Sequence, residues 1–365
     1  MRYAAIALAA AVLVTACGSR NENSVSASAT ISPTSTAAAT PSTTTGLVAF
    51  PLDLPFIVGT NAGDLSFQID KDGRPIGRSV HGCGTPITHI STYGRMALFN
   101  CSGPDSALYL YDDTSGSVTR IDNTENAMSA FDGNKGFAYV TRGASAGSAP
   151  ISMTRLLYRD LATGATTVLD ERLGVARDLR ASGEGIAIWR PRNNDSFMRP
   201  DAEAGTWVIR GTSLTKLSPF RLIDGGNGRE LLEPEGTDAY GYSTSSGANT
   251  HVVLRIAADQ VRLTPADVSN EKAVALLEDG RVVAWRPTVS EYEGVVVVYD
   301  PVTRAVIRTD RGKFSPTGVL RTGNWLIGLA YLGGPPKILG YRISDGSFAS
   351  IAGGSIGAFA FLGAR

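Results

Sequence analysis

Three histidines, His81, His89 and His251, and three cysteines, Cys17, Cys83 and Cys101, are all that the chain offers for imidazole or thiol chemistry. So few imidazoles weigh against enzymes built on histidine clusters, and a single His beside a strand reads as structural. The pattern G-x-S-x-G occurs twice, at residues 143–147 and 353–357. A serine nucleophile on such a turn needs a strand running into a helix, with a His and an acid within reach. The first copy sits in a loop of small residues and the second opens a strand, so no catalytic residue is assigned. Asp70-Lys71-Asp72-Gly73 begins like a calcium loop but lacks the later Glu ligand, and it reads instead as a hairpin turn. Gly225-Gly226-Asn227-Gly228 has no following helix and is a poor phosphate cradle. Nothing in these patterns calls for a metal or a cofactor.

Recognition chemistry is better represented. Trp189-Arg190-Pro191 and Trp285-Arg286-Pro287 close two strand-like runs, each just before a loop. Pro is expected to stop the strand and leave Arg directed at a rim. The loop at 192–205 carries Arg192, Asp195, Arg199, Asp201 and Glu203, and the 218–236 connection, with Phe220, Arg221 and Arg229, is expected on the same face. Trp189, Arg190, Trp285 and Arg286 are therefore candidates for aromatic and guanidinium contacts to a protein partner or a small anionic ligand. The competing reading packs each Trp between neighbouring elements and pairs each Arg with an acid.

The elements that must position these residues are almost all strands. Beyond residue 46, short β-rich runs alternate with Gly, Asp, Asn and Pro, and one phrase recurs. Its copies are centred near 67, 110, 158, 209, 254, 298 and 340, at steps of 43, 48, 51, 45, 44 and 42. Seven copies at that period predict four-stranded propeller blades. Runs such as Val295 to Tyr299 are apolar at consecutive positions, as expected of strands packed on both faces. The last run, 356–362, lacks a partner after it, and the first three lack an inner strand before them. Pairing the two ends would complete a seventh blade and remove the exposed edges. The region 212–250 fits the repeat least well.

Hairpins such as Ala273 to Trp285, turning at Glu278-Asp279-Gly280, resemble the Asp-Gly hairpins of TolB-type, WD40-like β-propellers. The resemblance implies an all-β propeller and carries no activity with it; seven blades is the count from the repeat, with six or eight as the alternatives if the 212–250 repeat is misread.

The amino terminus supplies an address. Arg2 precedes an apolar run from Ala4 to Val14, the length of a secretory signal core and too short to anchor in a bilayer. Val14-Thr15-Ala16-Cys17 resembles a bacterial lipobox, which implies cleavage after residue 16 and acylation of Cys17. Each buried CH₂ of such chains contributes roughly 0.8 kcal/mol to membrane attachment. In the stretch 18–45, 21 of 28 residues are Ser, Thr, Ala or Pro, a composition that cannot bury enough apolar surface to offset its ordering entropy. It reads as a tether spanning about 30 Å. The expected domains are a signal at 1–16, a tether at 17–46 and a propeller at 47–365.

Export makes a disulfide the natural state of Cys83 and Cys101, which flank a hairpin turning near residue 92 and are expected to face each other across its two strands. Its loop of about 18 residues is worth roughly 3 kcal/mol in the chain-entropy model. A zinc site from His81, Cys83, His89 and Cys101 has the wrong spacings.

Charge narrows the function. Lys plus Arg and Asp plus Glu both total 34, and this zero balance excludes a protein that coats nucleic acid. Apolar content of 43% excludes a wholly disordered chain. The expectation is a monomeric propeller, lipid-anchored on the extracytoplasmic side of the cell membrane, that binds an envelope protein or a small anionic ligand. The alternative is an exported propeller enzyme, a lyase, hydrolase or quinoprotein dehydrogenase acting on carbohydrate or another small substrate.

Overall fold

The computed structural model describes residues 47–362, apart from 104–105, 125–127, 143–153, 172, 174–178, 183–184, 191–192, 195–196, 199–202, 227–228, 234–251, 257–258, 264–271, 291, 301–302, 304, 317 and 331–335. Its strands are joined antiparallel into seven four-stranded sheets and one two-stranded hairpin, Asn193–Asn194 with Phe197–Met198. Among the described residues no helix is long and apolar enough to cross a membrane. The arrangement is that of an all-β propeller.

Six sheets are built from consecutive strands. The second runs Ile87–Tyr93, Met96–Cys101, Ala107–Asp112, Ser117–Asp122, and the third Ser129–Asp132, Gly136–Arg142, Thr154–Asp160, Thr166–Asp170. The fourth is Leu179–Ser182, Gly185–Arg190, Gly205–Arg210, Ser213–Ser218. The fifth is Arg221–Gly226, Arg229–Glu233, Val252–Ile256, Asp259–Leu263. The sixth is Lys272–Leu276, Val282–Ser290, Glu293–Tyr299, Val306–Lys313, and the seventh Leu320–Thr322, Trp325–Ala330, Lys337–Arg342, Phe348–Ala352. The first sheet draws on both ends of the domain. Ile356–Phe361 lies beside Phe56–Thr60, followed by Asp64–Ile69 and Pro75–His81, with Phe56 opposite Phe361 and Val58 opposite Phe359. All seven copies of the sequence phrase fall on the third strand of a sheet. In 212–250, where the repeat was hardest to read, the described residues hold two ordinary strands of the fifth sheet and the last strand of the fourth.

Hydrophobic packing explains why the strands are apolar at consecutive positions. Seven buried clusters each join two successive sheets. Leu98 and Leu108 meet Phe131 and Phe137, for example, while Val283 and Trp285 meet Leu326 and Tyr341. One of the seven packs the seventh sheet's Ile327 and Ile338 against Phe56 and Phe361 of the first. Within Glu293–Tyr299, Val296 and Val298 point into the cluster shared with the seventh sheet, whereas Val297 and Tyr299 point into the one shared with the fifth. A strand sandwiched this way has no polar face to alternate with.

The first strands of neighbouring sheets also touch through hydrogen bonds. Thr92 Oγ1 donates to Phe361 O at 2.8 Å, and His89 Nε2 lies 3.2 Å from Ser129 O and 3.3 Å from Ser129 N. Outer strands are far more exposed, as in Pro75–His81. Residues 47–55 lead into the first sheet along the seventh: Val48 N donates to Phe348 O, Phe50 stacks on Phe56, and Pro55 O accepts from Leu362 N.

Cys83 and Cys101 form a disulfide with Cα atoms 6.4 Å apart. They do not face each other across two strands, as the spacing suggested. Cys101 is opposite Ile87 in the hairpin, and Cys83 lies in the connection that enters the second sheet, so the bridge ties that connection to the sheet.

Candidate functional site

The four residues nominated for recognition are placed by the packing just described. Trp285 is fully buried and packs on Phe314, with ring centroids 5.8 Å apart. Trp189 is buried in the fourth sheet. Arg190, at 8% exposure, pairs with Asp170 of the third sheet and lies 5.0 Å from the Trp207 ring. Arg286 is half-buried opposite Val295. This arrangement joins strands and sheets, and leaves Trp189, Arg190 and Trp285 little surface to offer a partner. The second strand also runs on through Pro287 to Ser290 instead of stopping at the proline. Pro287 lies opposite Gly294, where a Cβ would collide with the Arg286 and Pro287 backbone.

Pro191, Arg192, Asp195, Arg199 and Asp201 lie outside the described residues, as do Cys17, His251 and the 143–147 motif. The 218–236 stretch is not one connection, since it contains the strands Arg221–Gly226 and Arg229–Glu233. At the second G-x-S-x-G, residues 353–355 form the turn into Ile356–Phe361. Asp70 uses one carboxylate oxygen to accept from Asp72 N and Arg74 N, both at 2.8 Å, which holds its pKa below the usual carboxylate value. That is turn chemistry. Among the described residues no group of three or more His, Cys, Asp or Glu could hold a metal ion.

A different group of charges stands out where the first strands of the fourth to seventh sheets approach one another. Arg180 of Leu179–Ser182 donates through its guanidinium to Ile223 O of the fifth sheet. Asp224, the next residue there, accepts from Leu276 N of the sixth sheet at 2.8 Å and from Gly225 N at 2.9 Å. Arg321 of Leu320–Thr322 in the seventh sheet returns to Leu276 O at 2.9 Å, while its second terminal nitrogen lies 3.6 Å from Glu278. Four sheets thus send one charged side chain or backbone group each to the same place. Burial raises the Asp224 pKa above the ordinary value, opposed by the Leu276 and Gly225 N–H bonds and by the positive charges of Arg321 and Arg180. Arg321 is exposed and Arg180 and Asp224 are half-buried, so the group borders solvent.

Sequence reading passed over these residues because it looked for chemistry in loops. A signal was present at two of them: Asp224 and Arg321 each follow a short apolar pair, Leu222-Ile223 and Val319-Leu320. Local sequence could not show that Arg180, Asp224 and Arg321 meet between the first strands of neighbouring sheets.

No family model matches this chain, and no curated protein does. Among solved structures, a prolyl endopeptidase superposes with a TM-score of 0.51 at 14% identity, over 81% of this chain and 50% of its own. The chain therefore spans about half the length of that protein, and at this identity the likeness speaks for the fold alone. TolB from Acinetobacter baumannii gives a TM-score of 0.42 at 13% identity, covering 82% of this chain and 67% of that one. The β-propeller domain of the trilobed protease from Pyrococcus furiosus gives 0.37 at 10% identity, covering 71% and 95%.

Proposed function

We propose that this protein is a lipid-anchored propeller of the cell envelope that serves as a binding or assembly module. On this reading the signal at 1–16 exports the chain, Cys17 carries the lipid on the extracytoplasmic side, and the 17–46 tether holds the folded part off the membrane. The lipobox-like Val14-Thr15-Ala16-Cys17 and the Ser/Thr/Ala/Pro composition behind it support the anchor. We read the seven sheets as seven blades of one monomeric ring, closed where Ile356–Phe361 pairs with Phe56–Thr60. The seven inter-sheet clusters support that count.

The observation that carries a binding role is the solvent-bordering group of Arg180, Asp224 and Arg321. Arginine forks held by backbone carbonyls are pre-oriented for anionic partners, in keeping with the absence of any net basic charge for nucleic acid. The test is crosslinking and pull-down from membranes using the full chain. Wild type is expected to retain a specific envelope partner or ligand, with capture reduced in Arg321→Gln, and Cys17→Ala is expected to release the protein from the membrane fraction. Capture that ignores Arg321 while Cys17→Ala stays membrane-bound would overturn the reading.

A second reading, an exported enzyme acting on a small substrate, is favoured by the same Asp224. A desolvated carboxylate with raised pKa beside two guanidiniums is a common setting for proton transfer. Turnover of a carbohydrate or ester panel, abolished in Asp224→Asn, would support it.

A further inference from the structure

The surroundings of Arg321 contain a carboxylate already in the position a ligand would take. Glu278 Oε1 is 3.6 Å from Arg321, and the Glu278 side chain is 86% exposed, so the pair is loose and contributes little. Asp224 does not fill that position. Both its oxygens accept from backbone N–H groups, of Leu276 and Gly225, which turns the carboxylate towards the sheets. Arg321 is meanwhile anchored by a bond from one terminal nitrogen to Leu276 O, and its other terminal nitrogen is the one that faces Glu278. Arg180 brings a second positive charge to the same carboxylate, Asp224, from the opposite side of the fifth and sixth sheets.

We propose that Arg321, assisted by Arg180, is the seat for the carboxylate of a small ligand, and that Glu278 occupies this seat when no ligand is bound. The proposal rests on the binding reading above and names the chemistry of its ligand. The ligand carboxylate replaces Glu278 at Arg321, with no covalent step, and Glu278 swings into solvent, where it is already almost wholly exposed. A planar carboxylate fits because the guanidinium fork presents two parallel donors, and because the chain's own stand-in is a carboxylate.

The test uses the full-length protein in detergent and three probes at constant ionic strength: N-acetylglycine, its neutral amide, and inorganic phosphate. Binding is read by ligand-observed NMR. N-acetylglycine is expected to bind and the amide not to. Affinity is expected to fall at least about fivefold in Arg321→Gln and to rise about threefold in Glu278→Gln, an opposite sign that misfolding cannot produce. Arg180→Gln should weaken binding less, with circular dichroism checking the fold of each variant. Equal binding of acid and amide, an unaltered affinity in Arg321→Gln, or a preference for phosphate would overturn the carboxylate seat. If the seat fails while partner capture from membranes persists, only this inference falls. If N-acetylglycine binds as described but no partner is captured, the assembly role falls and the seat stands.

Discussion

The seam between the sixth and seventh sheets and the group around Arg321 both place arginine near aspartate, yet the chemistry differs. At the seam, Arg308 Nε donates to Asp310 Oδ2 at 2.7 Å, and Tyr341 Oη donates to the same oxygen at 2.6 Å. The Arg308 guanidinium also reaches Tyr341 Oη, Ile343 O and Ser344 O. Side chain answers side chain, and burial pushes the Tyr341 phenol well above its ordinary pKa. Around Arg321, by contrast, the charged groups are held by backbone and leave one another at longer range. Both arrangements tie neighbouring sheets together, the first through buried side chains and the second through backbone groups at a solvent boundary.

The first and second sheets repeat the seam in weaker form. Arg78 donates to Asp113 Oδ1 at 2.9 Å and to Tyr111 Oη, which itself donates to Asp113 Oδ1 at 2.8 Å. Here the Arg side chain is 53% exposed, against 20% for Arg308, and Asp113 is 18% exposed against 1% for Asp310. The same trio is therefore expected to be worth much less.

The largest effect should come from the core behind the buried seam. Trp285→Ala removes the packing on Phe314 and is expected to cost about 3–5 kcal/mol in denaturant unfolding. Asp310→Ala strands Arg308 and should cost roughly 3 kcal/mol, whereas Asp113→Ala should cost about 1 kcal/mol or less. Equal losses would erase the distinction between the two seams. Reduction of Cys83–Cys101 should lower stability by about 3 kcal/mol. In the non-reduced folded protein, thiol titration should find neither cysteine free, and two titratable thiols would contradict the bridge.

His89 supplies a pH test. Its half-buried ring has a pKa held below the ordinary 6.5, first by desolvation and with the Ser129 hydrogen bond opposing. A depressed histidine pKa favours the neutral form in the folded state. The associated stability is complete above the unfolded pKa and is lost as pH falls through the folded value. Thermal melts should therefore decline on acidification below about pH 6.5, with a flatter profile in His89→Gln. The smallest change is expected at Asp224, whose raised pKa has the opposite sign. Folded Asp224 retains its proton to higher pH than the unfolded chain, so its contribution diminishes as pH rises through that folded value. Asp224→Asn should remove that slope with little loss of stability at neutral pH. A large loss there would move Asp224 into the structural class with Asp310.

Some of this was legible before any coordinates. The recurring phrase located the third strand of all seven sheets, because a strand-turn-strand unit leaves its mark in adjacent residues. The sandwiching of inner strands was visible too, since Val295 to Tyr299 has no polar alternate. Trp189-Arg190-Pro191 misled because residue type indicates what a side chain can do and not what faces it. Arg190 meets Asp170, which is twenty residues away in the chain.

The chain alone determined the repeat, the all-β character and the spacing of the turns, because each follows from interactions among near neighbours. Only the tertiary structure decided that Trp285 fills a seam, that Cys83 ties a connection to a sheet, and that Arg180, Asp224 and Arg321 come together between first strands of neighbouring sheets. Those outcomes depend on which sheet lies beside which. Adjacency of that kind is set by packing between residues tens to hundreds of positions apart, as in the 269-residue separation between Thr92 and Phe361.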